Sequence, residues 1–401
     1  MTVVRLAGGV TTSDAYVSVN AAWSIAHGHL ACAYPPEATL HGDPSAAPLY
    51  SLISGALAAL FRIGHRVPFP STAQLGPHCA TAIAAINQWN VRTGALFPTV
   101  LLGYVGWPVL MLGVLALLRS AGRGRTGWEV ATVVALACTP PVVMCLNEYF
   151  HPQDLIAVGL IAAAATAALR GRWGWVGALM GIAVTSQQFA LLALVPLLVV
   201  APKGRVLRLC VGAVGTLSLV ELPLIVLSSG RALPAVVVGT GTNSTAGTLL
   251  DHLALHGHAL FALSRVSPIV LAVLLSWWAE RRLGARLREP ELLLSLLATS
   301  LALRLVFEVN LWGYYFMAVA VLLLARSAIA GRLPWALAVG FLVVTYAAVD
   351  GGLVNRPSLF ALPIWLWQIV LVPIALMLAA GPLVATRRRV TPLGRPWVTD
   401  A

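Results

Sequence analysis

Charge is what this sequence has least of. Asp, Glu, Lys and Arg make up 10% of its 401 residues, while 59% are hydrophobic. A water-soluble domain carries about 25% charged residues, so that class is excluded. The mean hydropathy of +0.86 agrees. Of 26 basic residues only Lys203 is a lysine. Together with the Ala and Gly richness, that reads as genomic base composition rather than function. The chain has no repeat of fixed period, no low-complexity tract and no Gly-rich phosphate loop. Residues 1–12 hold no signal peptide and no apolar run. What remains is an all-α, polytopic transmembrane bundle.

The few charges are sorted. One set of breaks between apolar runs is rich in arginine: Arg119 to Arg125, Arg170 and Arg172, Lys203 to Arg208, Arg281 to Arg288, Arg326 to Arg332, and Arg387 to Arg395. The alternate set carries all nine histidines and most acids, including Asp14, Glu148, Asp154, Asp251 and Glu308. Positive charge stays on the cytoplasmic side of inserted helices. The net charge of +12 therefore marks topology and not a nucleic-acid partner. The proton-transfer groups face outward from a plasma (inner) membrane.

Apolar runs cover residues 91–118, 127–146, 151–169, 206–228, 266–282, 290–307, 312–325, 334–350 and 362–386. They predict about nine spanning helices, at roughly 20 residues each. Arg172 and Lys203 bracket one further apolar stretch. A single crossing there would turn every later basic loop outward. The charge pattern therefore predicts two half-helices meeting at Thr185-Ser186-Gln187-Gln188, with a polar tip lining a cavity; a single kinked helix is the alternative. Residues 1–90 fall outside in this register, as a segment with interfacial helices, and 229–265 forms another outer loop. The tail 387–401 is cytoplasmic. An outer 1–90 segment needs a helix ahead of it, expected upstream of Met1. The alternative is a membrane hairpin of 49–64 and 73–86.

Several residues could carry chemistry. His151, Gln153 and Asp154 open the 151–169 helix, where Asp154 also suits the positive helix end and Pro152 is a helix-start signal. Glu148 lies three residues before His151, a spacing that is no metal signature by itself. Arg304 lies inside an apolar run, where a charge needs a partner or a polar cavity. Glu308 is four residues on and on the same face. An internal ion pair is one reading; an arginine fork aimed at a phosphate is the other. Tyr314 and Tyr315 follow at the same depth. In the 229–265 loop, Arg265, His256 and His258 suit hydrogen bonding to sugar or phosphate better than a metal. Cys138 and Cys145 read as packing residues of one membrane helix. Cys32 and Cys79, the two outer cysteines, form a candidate bridge.

Three stretches carry a resemblance. Thr12-Ser13-Asp14-Ala15-Tyr16, with His27-Gly28-His29, Tyr34-Pro35-Pro36 and Ala47-Pro48-Leu49-Tyr50, resembles the first outer loop of the GT-C superfamily of integral membrane glycosyltransferases. Asn147-Glu148-Tyr149-Phe150-His151-Pro152-Gln153-Asp154, then Arg170-Gly171-Arg172 and Gly177 to Ala183, is similar to the middle of actinobacterial polyprenol-phosphate-mannose-dependent mannosyltransferases (glycosyltransferase family 87). Arg304-Leu305-Val306-Phe307-Glu308 with Trp312-Gly313-Tyr314-Tyr315 is the third. The resemblance covers about a third of the chain. It implies an enzyme that takes a sugar from a polyprenyl phosphate in the outer leaflet and passes it to a glycan or glycolipid. It also implies Asp14 as general base, although an N-cap is the plain helix reading of that residue. No cofactor is implied. Gln187 and Gln188 stand where family members often carry a lysine. Two rival classes are a secondary transporter or lipid flippase, and a non-catalytic scaffold of envelope synthesis.

Overall fold

The structure is a computed structural model. It describes residues 22, 25, 48–60, 102–122, 126–147, 150–227, 248–253, 255, 259–260, 262–309, 311–349 and 364–386. All regular structure among them is helical. The helices are α1 (Pro48–Leu60), α2 (Gly106–Ser120), α3 (Thr126–Ala137), α4 (Pro140–Asn147), α5 (Pro152–Leu169), α6 (Trp173–Ser186) and α7 (Leu191–Val200), followed by α8 (Val206–Leu227), α9 (Ser267–Leu283), α10 (Pro290–Val306), α11 (Met317–Ala330), α12 (Arg332–Val349) and α13 (Ile364–Ala385). Five described segments are long and apolar enough to cross a membrane, or six if the bent α3–α4 pair counts as one. The chain is a helical membrane protein.

Glycine lets the helices meet backbone to backbone, as small residues do where no water drives packing. A Cβ on Gly113 of α2 would lie 2.2 Å from the Gly159 carbonyl oxygen of α5, and one on Gly106 would lie 2.8 Å from that of Pro152. Both partners advance by the same seven residues, so α2 and α5 run parallel. The same test orders α6 and α8. A Cβ on Gly177 would meet Leu209 O at 2.0 Å, and one on Gly181 would meet Ala213 O at 2.5 Å. These two helices are parallel as well. The chain must return between them, and α7 is the return.

The break falls on the expected tip. Gln187 is extended (φ −159°, ψ 127°), and a short turn over Gln188–Ala190 starts the descent. The Ser186 hydroxyl donates to Gln153 O at 2.8 Å, which fixes the tip at the start of α5. The far end of α7 receives Arg288, whose Nε donates to Val200 O at 3.3 Å. Arg282 donates to Val384 O at the end of α13. The turns bearing Arg170, Lys203 and Arg281 to Arg288 thus gather at one end of the bundle. The starts of α5, α11 and α13 lie at the other.

One expected element needs correction. The run 127–146 is not one rod: α3 and α4 meet at 54°. Pro140 and Pro141 supply no N–H to the preceding turn. Thr139 repairs part of the damage, its hydroxyl donating to Leu136 O at 2.8 Å. Cys138, exposed, and Cys145, buried, therefore belong to different segments. The run 49–61 holds α1, with Tyr50, Ser51 and Ser54 buried against the bundle.

Candidate functional site

At the end away from the arginine-rich turns, four separate segments bring polar side chains together. The first is the start of α5. Phe150 adopts φ 54°, and His151 follows. The His151 N–H donates to Cys145 O at 2.7 Å, and the Cys145 thiol donates to His151 O at 3.2 Å. This clasp fixes the His151 backbone on both sides, and the imidazole has its own partners. Its Nδ1 lies 3.1 Å from Gln153 Nε2, and its Nε2 lies 3.0 Å from the Tyr314 hydroxyl. The ring also stacks on Tyr314 at 4.6 Å, 21° from parallel. Where the Gln153 amide donates to Nδ1, the tautomer with its proton on Nε2 donates to the Tyr314 hydroxyl. Among the described residues, Gln153 Oε1 is then buried without a hydrogen-bond partner. Such a group is costly unless a ligand or water meets it.

The second segment is the α6–α7 tip. The Gln187 amide donates to the Asp154 carboxylate. Phe189 lies under the guanidinium of Arg304, 5.2 Å from it. The third segment is the end of α10, where Arg304 donates to Glu308. Arg265, from the π-helical turn Ala262–Val266, reaches the same carboxylate at 3.7 Å. Two guanidinium groups thus converge on one carboxylate whose side chain is 3% exposed. The fourth is the turn Gly313–Phe316. Tyr315 faces Arg304 at 4.7 Å, and Tyr314 meets Tyr315 edge-on at 4.7 Å.

Together with the chain links Gln153–Asp154 and Gln187–Phe189, these contacts close a ring: Asp154, Gln187, Phe189, Arg304, Tyr315, Tyr314, His151, Gln153. Asp154 and Glu308 balance Arg304 and Arg265. A balanced set of buried charges is stable only with good geometry, and it leaves guanidinium forks ready to exchange one anion for another.

The ring contains His151, Gln153, Asp154, Gln187, Arg304, Tyr314 and Tyr315 of the residues singled out by sequence, with Arg265 and Glu308 attached to it. Gln188 stands beside it, its N–H donating to Gln187 Oε1 at 3.3 Å. Asp14, Glu148, His256, His258, Cys32 and Cys79 lie outside the described residues. His252 is exposed and meets Trp365 edge-on, away from a metal-like grouping; among the described residues no three His, Cys, Asp or Glu side chains form one.

Phe189 and Gln368 lie outside the residues that the sequence singles out, while Ser186 belongs to the predicted tip. Phe189 sits within an apolar run. Gln368 is 1% exposed and ties α13 to the site's edge: its Oε1 accepts from Leu249 N at 2.9 Å and its Nε2 donates to Leu305 O at 2.8 Å. A lone glutamine within the apolar run 362–386 was the signal for it. Set against protein-family models, curated proteins and solved structures, the chain matches none.

Proposed function

We propose that this protein is a GT-C-type glycosyltransferase of the plasma membrane. It takes a mannosyl- or arabinosyl-type residue from a polyprenyl phosphate and transfers it, with inversion, to a cell-envelope glycan or glycolipid. In this reading about nine spanning helices enclose a cavity open to the outer face. The observation that carries it is the convergence of Arg304 and Arg265 on Glu308. A lipid phosphate competes with that carboxylate for the two forks, which suit phosphate oxygens. His256 and His258 add contacts from the 229–265 loop.

The chemistry needs few parts. The acceptor oxygen attacks C1 of the sugar, the C1–O bond to phosphate breaks, and the electron pair leaves on the phosphate. The arginines stabilise that charge. Asp14 takes the acceptor proton, with Glu148, Asp154 and Glu308 as alternatives. Gln153 Oε1 and His151 hold acceptor hydroxyls, which gives the buried amide oxygen its partner. No cofactor enters.

The test uses membranes containing the full chain and a labelled polyprenyl-phosphate sugar. New labelled glycolipid is the expected product. Asp14→Asn lowers turnover by roughly two to four orders of magnitude with donor binding near normal, the pattern of a lost general base. Arg304→Gln weakens donor binding and turnover together, since its charge meets phosphate in ground and transition states. The re-entrant α6–α7 pair also suits a transporter or lipid flippase. Lipid translocated across proteoliposomes with no new glycosidic bond would favour that reading instead. Loss of both, with partner envelope proteins failing to assemble around the Asp14 and Arg304 variants, would favour the scaffold.

A further inference from the structure

The arginines at the other end of the bundle are not alike. In the turn Arg281 to Arg288, three of the four arginines are spent on the protein. Arg282 donates to Val384 O at 2.6 Å, Arg286 pairs with Glu289 at 2.9 Å, and Arg288 donates to Val200 O. Arg281 differs. Among the described residues its partner is the Trp277 ring, 4.6 Å below the guanidinium carbon. Its N–H donors take no hydrogen-bond partner among the described residues, which leaves the guanidinium fork for a phosphate edge.

Its place on the helix says what that phosphate belongs to. Val270, Val273, Leu274 and Trp277 are all exposed, Trp277 by 53%. They recur every three or four residues and so form one stripe on the outside of α9. An exposed apolar stripe on a membrane helix faces acyl chains. Tryptophan marks the level where chains give way to headgroups. Arg281 lies four residues further, about 6 Å along the axis, at the depth of lipid phosphates. Trp278 and Arg282 repeat the pairing at 5.4 Å. Glu280 is exposed too, at the edge of the stripe seven residues on from Val273, and about 100° around the helix from Arg281.

The geometry points to a headgroup site for an anionic phospholipid, formed by Trp277 and Arg281 with Trp278 and Arg282 beside them. The acyl chains lie along the Val270–Trp277 stripe, and the phosphate takes the Arg281 fork. This site stands apart from the ring at the opposite end, and it holds whatever reaction occurs there.

The test is native mass spectrometry of the full chain released from phosphatidylcholine nanodiscs doped with phosphatidylglycerol. The wild type should retain phosphatidylglycerol over phosphatidylcholine. Arg281→Gln should lower that retention about fivefold, the worth of one basic residue at an anionic surface. Arg281→Lys, with charge but no planar stack, should fall between. Arg172→Gln, on another exposed basic turn, should change nothing. Equal retention in Arg281→Gln overturns the site. So does an equal loss in Arg172→Gln, which means diffuse charge. Displacement of the lipid by millimolar inorganic phosphate also overturns it, because the fork then takes any phosphate.

Discussion

Phe150 holds a backbone conformation that bulky residues avoid. Its φ of 54° costs about 1–3 kcal/mol and persists only where the surroundings enforce it. The enforcement is visible. Its ring sits where Gly103 has no side chain: a Cβ there would lie 2.5 Å from Phe150 Cζ. Tyr50 meets the ring edge-on at 6.1 Å. The turn then delivers His151 to Gln153 and Tyr314. Gly103→Ala should expel the ring and release His151. If the protein transfers sugar as proposed, that activity should fall roughly 10- to 100-fold, the scale of a misplacement near 1 Å. The shorter side chain of Gly103→Ala/Phe150→Leu should recover part of it. Carbethoxylation of His151, followed by mass spectrometry, reads the same release without activity. Unchanged labelling in Gly103→Ala would show that Phe150 does not hold the imidazole. Little of this was legible in the sequence. The Arg304–Glu308 pair was, because helix periodicity places residues four apart together. Nothing in Tyr149-Phe150-His151 announces a left-handed residue, and its seat comes from another helix.

Helices in lipid must satisfy their own backbone, and prolines break that rule at identifiable carbonyls. Pro140 deprives Leu136 O, and the Thr139 hydroxyl covers it. Pro382 deprives Leu378 O in α13. There the cover comes from a different helix: Arg326 of α11 donates to Leu378 O at 2.6 Å and to Ala379 O at 3.2 Å, and touches Ser295 of α10 at 3.3 Å. A buried arginine is thus the staple of a proline-broken helix. Arg326→Leu should cost about 1–3 kcal/mol, the range for a charged hydrogen bond lost from a buried acceptor. Pro382→Ala restores the missing N–H, so the same change in that background should cost less by at least about 0.5 kcal/mol. A double-mutant cycle on reversible denaturation in mixed micelles measures both. Strict additivity would show that Arg326 does not serve the proline. At this scale the sequence was readable in part. Apolar runs and basic turns located most helices. The α3–α4 bend is not visible in the length of the apolar run; its signal is Pro140-Pro141, which removes two backbone donors.

Across the whole molecule, the sorting of charge is the organising fact. Each described basic turn lies at one end, and the polar ring lies at the other. That arrangement depends on α6 and α7 entering and leaving by the same end. The charge pattern required it, and the parallel registers of α6 with α8 show it in atoms. The consequence is that Arg172 and Gly204, which bracket this stretch, share one face of the membrane. A single crossing would separate them. In a background without native cysteines, Arg172→Cys and Gly204→Cys should both resist a membrane-impermeant maleimide in intact cells and react after lysis. Gly204 has nothing within 4 Å of an added Cβ, so the change is sterically free. His252→Cys, exposed at the ring end, should react in intact cells. Opposite labelling of the positions bracketing α6 and α7 would dismantle the re-entrant pair and, with it, the single-sided ring. Joint labelling of Arg172→Cys and Gly204→Cys from outside, with His252→Cys protected, would keep the pair but invert the protein, placing the ring in the cytoplasm. A lipid-phosphate donor of the outer leaflet could not then reach Arg304. The outward orientation of the site therefore stands or falls on three cysteines.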